Sequence, residues 1–569
     1  MKRSFKFIGA VLLTLVIVIG GLAWYVASLP WRNACAAPLT NAATEPTNTA
    51  VATSQPLATA AAATILRHGG TAVDAAIAAA LALAVAEPGN SGLGGGGFAL
   101  VYDPKDKQTT SLDFREQAPI GLDLASLKDE VKENPDALRN GSLAVAVPSE
   151  WDGLLDLHRR FGKLPLSDLA APAIAAARDG IRVTAEYSAR CFVRSSVLSK
   201  NADATRIFKT AIGICPLPGW TLRQPELAET LRSLVEGKAF NDIVGHKMVA
   251  FLRAQGSQIS EEDLQRAHVT ERPTVQGEFM GRTIVSMGPP SSGGLIVISL
   301  LQAYERVRAL HPDANRYHLW VEASRLSFFD RARAYGDPDF VHFDAARFAS
   351  GAYADEQARR IGATATIDLP ATVPQAVEGD HTTHISVVDK NGLAVAMTVT
   401  INVPFGSGLV VPGTGVLLNN EMDDFFLDRP NAFDLVGNAR NAPAPGKRPL
   451  SSMAPTMVFD RGQLQIVIGS PGGSSIPSAV AQVIRSMVED GSSGDAAVRA
   501  GRLHHQWLPA ALDVEPYFDR SALPDDLRAI AKKPMFPIGR VQMTWLSNSG
   551  FRGISDCRDQ GEPFAAQLP

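Results

Sequence analysis

The segment Thr382-Thr383-His384-Ile385-Ser386-Val387-Val388-Asp389-Lys390-Asn391-Gly392, with the apolar run after it that ends in Thr398-Val399-Thr400-Ile401-Asn402, constrains the chain more than any other. Two β-rich runs flank Asn391-Gly392, a strong short-range hairpin signal. If Lys390-Asn391-Gly392 form a three-residue loop with Gly392 left-handed, Asp389 pairs with Leu393 and Thr382 falls opposite Thr400. Directly opposed residues have Cβ atoms about 4.5–5.5 Å apart, so the two hydroxyls meet within hydrogen-bond reach. A two-residue loop shifts this register by one. Taken alone, the hairpin reads as carrying an ordinary polar Thr–Thr pair.

Its company changes that reading. In order along the chain stand Gly69-Gly70-Thr71-Ala72-Val73-Asp74-Ala75-Ala76, Gly92-Leu93-Gly94-Gly95-Gly96-Gly97-Phe98, Asp113-Phe114-Arg115-Glu116 and Pro289-Pro290-Ser291-Ser292-Gly293-Gly294. After the hairpin come Asn419-Asn420-Glu421-Met422-Asp423-Asp424-Phe425, Lys447-Arg448-Pro449-Leu450-Ser451-Ser452-Met453, Gly469-Ser470-Pro471-Gly472-Gly473-Ser474 and Arg502-Leu503-His504-His505-Gln506-Trp507-Leu508-Pro509. With these segments, at similar spacing, the chain resembles the γ-glutamyltranspeptidase family from about residue 50 to the C-terminal region. The resemblance implies an α/β fold, the αββα sandwich of stacked antiparallel sheets of the N-terminal-nucleophile hydrolases. Strand-like runs at Ile284–Met287, Ile385–Val388, Ala394–Val399 and Leu464–Ile468 alternate with Ala/Leu-rich helical runs such as 72–86, where Thr71 and Asp74 form a capping box.

With 569 residues, 46% hydrophobic and 20% charged, the chain is globular and long enough for a large core; a net charge of −4 offers nucleic acid no electrostatic footprint. Lys2, Arg3 and Lys6 precede an uncharged run from Phe7 to Leu29 that is long enough to span a bilayer, and the basic end stays cytoplasmic. We read residues 1–36 as a retained anchor, with Ala34-Cys35-Ala36 as the alternative site of a cleaved signal. Residues 36–55 are a linker, and the remainder lies in the periplasm or otherwise outside the cytoplasm. Cys191 and Cys215 bracket a short stretch and can pair there, whereas Cys557 has no evident partner. No Cys or His spacing suits zinc, and we expect no metal and no cofactor.

Two motifs are decoys. Gly92-x-Gly94-x-x-Gly97 matches a dinucleotide fingerprint, yet it follows a helix and opens an apolar strand-like run. Gly469–Ser474 has phosphate-loop context without its Gly-Lys-Ser/Thr; it can still form a nest of N–H groups for an oxyanion. Adjacent His504 and His505 point in different directions on a regular element and read as structural.

A threonine hydroxyl needs a base, and an N-terminal threonine carries one in its own α-amine, with a pKa of about 8. Thr382 is internal, so this chemistry requires cleavage of His381–Thr382. The resemblance implies self-cleavage into a large chain, residues 37–381, and a small catalytic chain, residues 382–569, that remain together as a heterodimer. Thr400 then orients Thr382, while Thr383, the nearest rival nucleophile, projects to the other face. A γ-glutamyl group presents a carboxylate and an ammonium. By resemblance Arg115, Ser451 and Ser452 bind the first, Asn402, Glu421 and Asp424 the second, and Gly472 and Gly473 the oxyanion. Donors are glutathione-like amides, and acceptors are water, amino acids or peptides. The chain departs from the common bacterial pattern at Glu421, at Ser149 in place of a glycine, and at Phe433 in a lid spanning 430–448. The rival readings are a glutaryl or cephalosporin acylase of the same fold and a non-catalytic envelope binding protein.

Overall fold

The computed structural model describes residues 35, 47–370, 382–427 and 439–569. Most of the segment read as an anchor and His381 lie outside the described residues, as do Phe433 and much of the stretch read as a lid. Among the described residues no helix is long and apolar enough to cross a membrane.

Two antiparallel sheets form the centre. In chain order their strands are β1 (Thr49–Thr53), β2 (Gly96–Asp103), β3 (Gln108–Phe114), β4 (Thr270–Glu271), β5 (Val275–Phe279), β6 (Arg282–Ser286), β7 (Thr383–Val388) and β8 (Ala394–Thr400). Then follow β9 (Thr456–Asp460), β10 (Gln463–Gly469), β11 (Gln542–Ser547), β12 (Gly550–Ser555) and β13 (Phe564–Ala566). The first sheet runs β13-β1-β7-β8-β2-β3-β4 and the second β12-β11-β10-β9-β6-β5. The helices that cover them include α1 (Pro56–Arg67), α2 (Ala72–Ala86), α3 (Gly293–Leu310), α4 (Arg316–Ala334) and α5 (Ile476–Val488).

Period-two alternation sorts the first sheet's side chains between two cores. Ala99, Val101, Val387, Val395, Met397 and Val399 pack against α1 and α2. Phe98, Leu100, Val388, Ala394 and Ala396 turn the other way, joining Met457, Ile466 and Val467 of the second sheet and Leu295 and Leu300 of α3. Stacked antiparallel sheets between helical layers result, as expected. Thr71 accepts from the Asp74 amide and Asp74 from the Thr71 amide, so α2 begins where the capping box placed it.

The hairpin has the three-residue loop. Asp389 N donates to Leu393 O (3.0 Å), Gly392 has φ +83°, and Val388 pairs with Ala394, a register that sets Thr382 across from Thr400. All four cysteines are paired: Cys191 with Cys215, and Cys557 with Cys35, a partner 522 residues away that sequence reasoning does not find.

Burial predicts the stability cost of opening the inter-sheet core. Phe98→Ala, at a fully buried position, should destabilise by about 3–5 kcal/mol. Ile212→Ala, at a side chain 81% exposed, should stay within about 0.5 kcal/mol. Denaturant midpoints of the two variants check the contrast.

Candidate active site

Thr382 shares one strand face with His384 and Ser386, and that face looks toward the second sheet, where Ser386 Oγ donates to Gln542 O. The hydroxyls of Thr382 and Thr400 lie 3.1 Å apart, and the Asn402 backbone amide donates to Thr400 Oγ1 (2.9 Å), fixing that oxygen from behind. Thr383 points the other way, with its Oγ1 2.8 Å from Ser54 Oγ. Thr382 has φ +128°, a conformation that a β-branched residue rarely adopts. His384 is no base for it. Its ring nitrogens bond Thr398 and Ser386, and burial lowers its pKa to about 3, so the imidazole is neutral.

Arg115, Thr382, Thr400, Asn402, Glu421, Asp424, Ser451, Ser452 and Gly473 line one cavity, together with Arg331, Leu450, Met453 and Ile476. Gly472, the residue before Gly473, is not among the lining residues. At φ +137°, with a would-be Cβ 2.8 Å from Ser475 Oγ and 2.9 Å from Gly539 Cα, the position admits no other residue without rearrangement. The cavity's volume is about 20 Å³, little more than one water. A larger cavity of about 320 Å³, lined by Trp320, Arg485 and Phe518 among others, contains none of these residues.

The site is small because its charges close on one another. Arg115 Nη2 donates to Asp424 Oδ2 (2.5 Å), Nη1 lies 2.7 Å from Glu421 Oε2, and Glu116 Oε2 is 3.6 Å away. Burial alone would lower the Arg115 pKa, but the Glu421, Asp424 and Glu116 carboxylates outweigh it and raise it. Burial raises all three acids against the pull of Arg115, Glu116 to about 8 and Glu421 well above the usual range. Arg115, with Arg331 acting on Asp424, does not fully offset the burial of these carboxyls, and their pKa values stay raised.

Asparagines place these groups. Asn419 Oδ1 accepts from Ala146 N and Glu421 N, and its Nδ2 donates to Gly94 O and Ala146 O. Asn441 Nδ2 donates to Asp424 O and its Oδ1 accepts from Leu450 N, tying the acidic 3-10 turn to the serine wall. The Pro289–Gly294 loop clamps that wall from outside. Ser292 Oγ donates to Ser451 O (2.6 Å), Ser291 Oγ donates to Met453 O (2.6 Å), and Ser452 Oγ is buried without a hydrogen-bond partner. The glycine-rich loop before β2 cradles no phosphate. A Cβ on Gly95 would overlap Thr400 O, so glycine there lets the Thr400 strand lie flush. Ser149 donates to Phe114 O (2.6 Å), which gives that departure a structural role. His504 bonds Ser478 and Gln506, as a structural residue does.

Sequence reasoning misses Glu116 and Arg331 as members of this site. Arg331 is buried on α4, donates to Ser292 Oγ (3.2 Å) and helps keep Asp424 ionised. A cation three residues after Phe328 on the core-facing side of a helix is the signal that could have found it.

A stacked-sheet α/β protein with a threonine pair at the open end of a central hairpin is the class that this geometry defines. The chain matches the family Gamma-glutamyltranspeptidase over residues 58–566 and belongs to it. It is 36% identical over 482 residues to a glutathione hydrolase proenzyme of Escherichia coli, covering 82% of each chain. It is 38% identical over 527 residues to one of Pseudomonas aeruginosa, covering 88% of this chain and 91% of that one. Among solved structures, cephalosporin acylase from Bacillus halodurans superposes with TM-score 0.79 at 27% identity, covering 93% of this chain and 97% of that one. The Helicobacter pylori γ-glutamyltranspeptidase gives TM-score 0.52 at 29% identity over 58% of this chain and 95% of that one.

Near Glu116, Glu150 has one carboxylate oxygen accepting from Gly92 N (3.3 Å) and the other unpartnered; burial raises its pKa to about 8. A carboxyl raised from 4.5 to about 8 binds more protons folded than unfolded in that window. Stability is therefore highest below the unfolded value and falls as pH rises toward 8. Glu150→Gln should flatten the decline between pH 5 and pH 8, by up to about 1.4 kcal/mol per pH unit. Denaturant midpoints measured across that range test it.

Proposed function

We propose that the chain is a γ-glutamyltransferase and glutathione hydrolase that works outside the cytoplasm through a γ-glutamyl ester on Thr382. The observation that carries the reading is the Thr382–Thr400 hydroxyl pair opening onto a buried cavity lined by Arg115, Arg331, Glu421 and Asp424. Maturation comes first. Thr382 Oγ attacks the His381 carbonyl, the amide becomes an ester, and water hydrolyses it. A His381 carboxylate and a free Thr382 amine result. The strained φ of Thr382 favours this bond as the one that breaks.

In turnover the α-amine takes the hydroxyl proton, the oxygen attacks the γ-carbonyl carbon, and the N–H groups at Gly472 and Gly473 receive the oxyanion. The leaving amine takes the proton and departs. Water or an acceptor amine then opens the ester. A γ-glutamyl group enters a closed ion cluster by exchange: its ammonium takes the place of Arg115 on Asp424 and Glu421, and its carboxylate takes theirs on Arg115. Ser452 Oγ, buried and unpartnered, gains the carboxylate as acceptor. Each ionic group keeps a partner throughout, so no unpaired charge is left buried. Two disulfides, and Lys2-Arg3 ahead of Phe7–Leu29, support export with a membrane anchor.

The acylase reading draws on the likeness to the Bacillus halodurans protein. A glutaryl group lacks the ammonium and would leave the Asp424–Glu421 pair nothing to exchange for Arg115. A binding protein without catalysis would have no use for the Thr382–Thr400 alignment.

Thr382→Ala should remain one full-length chain with no activity, while wild type yields a fragment beginning at Thr382. Intact mass decides, and an active uncut wild type would sink the mechanism. Asp424→Asn removes a charge-assisted contact worth about 1.5–3 kcal/mol. It should therefore lower kcat/KM for a γ-glutamyl anilide roughly ten- to a hundred-fold, and leave a glutaryl anilide little changed. Arg115→Lys should hurt both, because both keep a terminal carboxylate. Equal loss on the two substrates in Asp424→Asn would mean that Asp424 does not read the ammonium.

A further inference from the structure

We propose that the two chains produced by cleavage at His381–Thr382 are joined covalently, through Cys35 of the large chain and Cys557 of the small one. The inference rests on the processing reading and goes beyond it, since processing alone predicts a heterodimer held by packing.

The two cysteines lie on opposite sides of the bond to be cut, with Cα atoms 5.2 Å apart, inside the ordinary disulfide range. The chain has four cysteines and the other pair, Cys191–Cys215, lies wholly within the large chain, so Cys35–Cys557 is the one sulfur link available between the two products. Each half is seated. The Cys35 amide bonds the Tyr517 hydroxyl. Cys557 stands between Asp556, which accepts from Arg502 Nη2 (2.7 Å) and Val541 N (2.8 Å), and Arg558, which donates to Glu515 (2.6 Å). All four of those charged side chains are buried, so the Cys557 backbone is held against a rigid ionic lattice.

The chain after Cys35 arrives at the same part of the fold. Thr47 N donates to Ser549 O (2.9 Å) and Asn48 N to Ala566 O (3.1 Å), both small-chain acceptors, before β1 enters between β7 and β13. Bond formation removes two protons and two electrons from the thiols. A disulfide-bearing oxidant of the export compartment accepts them and is reduced to its dithiol. The link fastens the nucleophile-bearing chain to the polypeptide that carries Phe7–Leu29. It also argues for retention of that segment, because signal cleavage near Ala36 would discard Cys35.

The test uses the full-length protein, alkylated at lysis to block exchange and run on denaturing gels with and without reductant. Wild type should run as one species near the 60.5 kDa of the whole chain without reductant and as two with it. Cys557→Ser should give two under both conditions, and a Cys191→Ser/Cys215→Ser variant should behave as wild type. Non-reducing peptide mass analysis of wild type should contain a Cys35–Cys557 cross-linked pair, which keeps the test independent of how well the variants fold. Two wild-type species without reductant would overturn the link and leave processing intact. One species under both conditions would instead overturn processing, and the interchain link with it.

Discussion

The register of one hairpin governs everything the site does. Asp389 fixes it: its backbone pairs with Leu393, its Oδ1 accepts from Asn391 N and Leu393 N, and its Oδ2 accepts from Ala72 N at the start of α2. A slip of one residue between the two strands would leave Thr382 and Thr400 on opposite faces of the sheet and separate their hydroxyls. Both neighbours oppose such a slip. β1 pairs with β7 through four residues and β2 with β8 through seven, so the hairpin is held from both sides. The position of Thr382, the proposed nucleophile, is thus set by backbone pairing at the centre of a sheet, where local motion is smallest.

The second constraint is electrostatic. Burying Arg115 with Glu116, Glu421 and Asp424 costs desolvation that only mutual pairing offsets. The resting site therefore collapses to about 20 Å³ around its ion pairs. In the proposed reaction the same cost becomes discrimination. A zwitterion replaces each ionic contact it breaks, whereas a ligand with one charge separates a buried pair and restores only half of it. Arg331, bonded to Ser292 and electrostatically coupled to Asp424, connects the two halves of the cluster through the loop that clamps Ser451.

Local signals are legible in the sequence and long-range ones are not. The capping box at Thr71–Asp74 and the loop at Lys390–Gly392 act within a few residues, so sequence alone places α2 and the Thr382–Thr400 register. The motif resemblance also gathers residues that share one cavity, from Arg115 to Ser452. Three things escape. Sequence reasoning assigns Arg115 to a ligand, but in the structure it pairs with Asp424 and Glu421, the acids assigned to that ligand's other end. Arg331 is far from every quoted motif and reaches the site only when α4 packs. Cys35 and Cys557 are 522 residues apart, and nothing local to either reports the other.

The likeness to an acylase bears on where specificity resides. A TM-score of 0.79 with a protein named for a different substrate means that the stacked sheets and the hairpin do not choose the acyl group. The choice falls to short irregular segments hung on that frame. Of these, the Glu421–Asp424 turn has its backbone pinned on both sides, by Asn419 before it and Asn441 after it. A 3-10 turn carrying three acids, held by two asparagines, loses little entropy when a cation arrives and cannot swing its carboxylates away to water when none is present. Rigid placement of like charges is unfavourable by itself, and Arg115 beside Glu421 and Asp424, with Arg139 beside Asp423, makes it tolerable. In the proposed reaction the pairing that stabilises the fold is thus the one a substrate replaces, and a ligand that brings an ammonium is the kind that can.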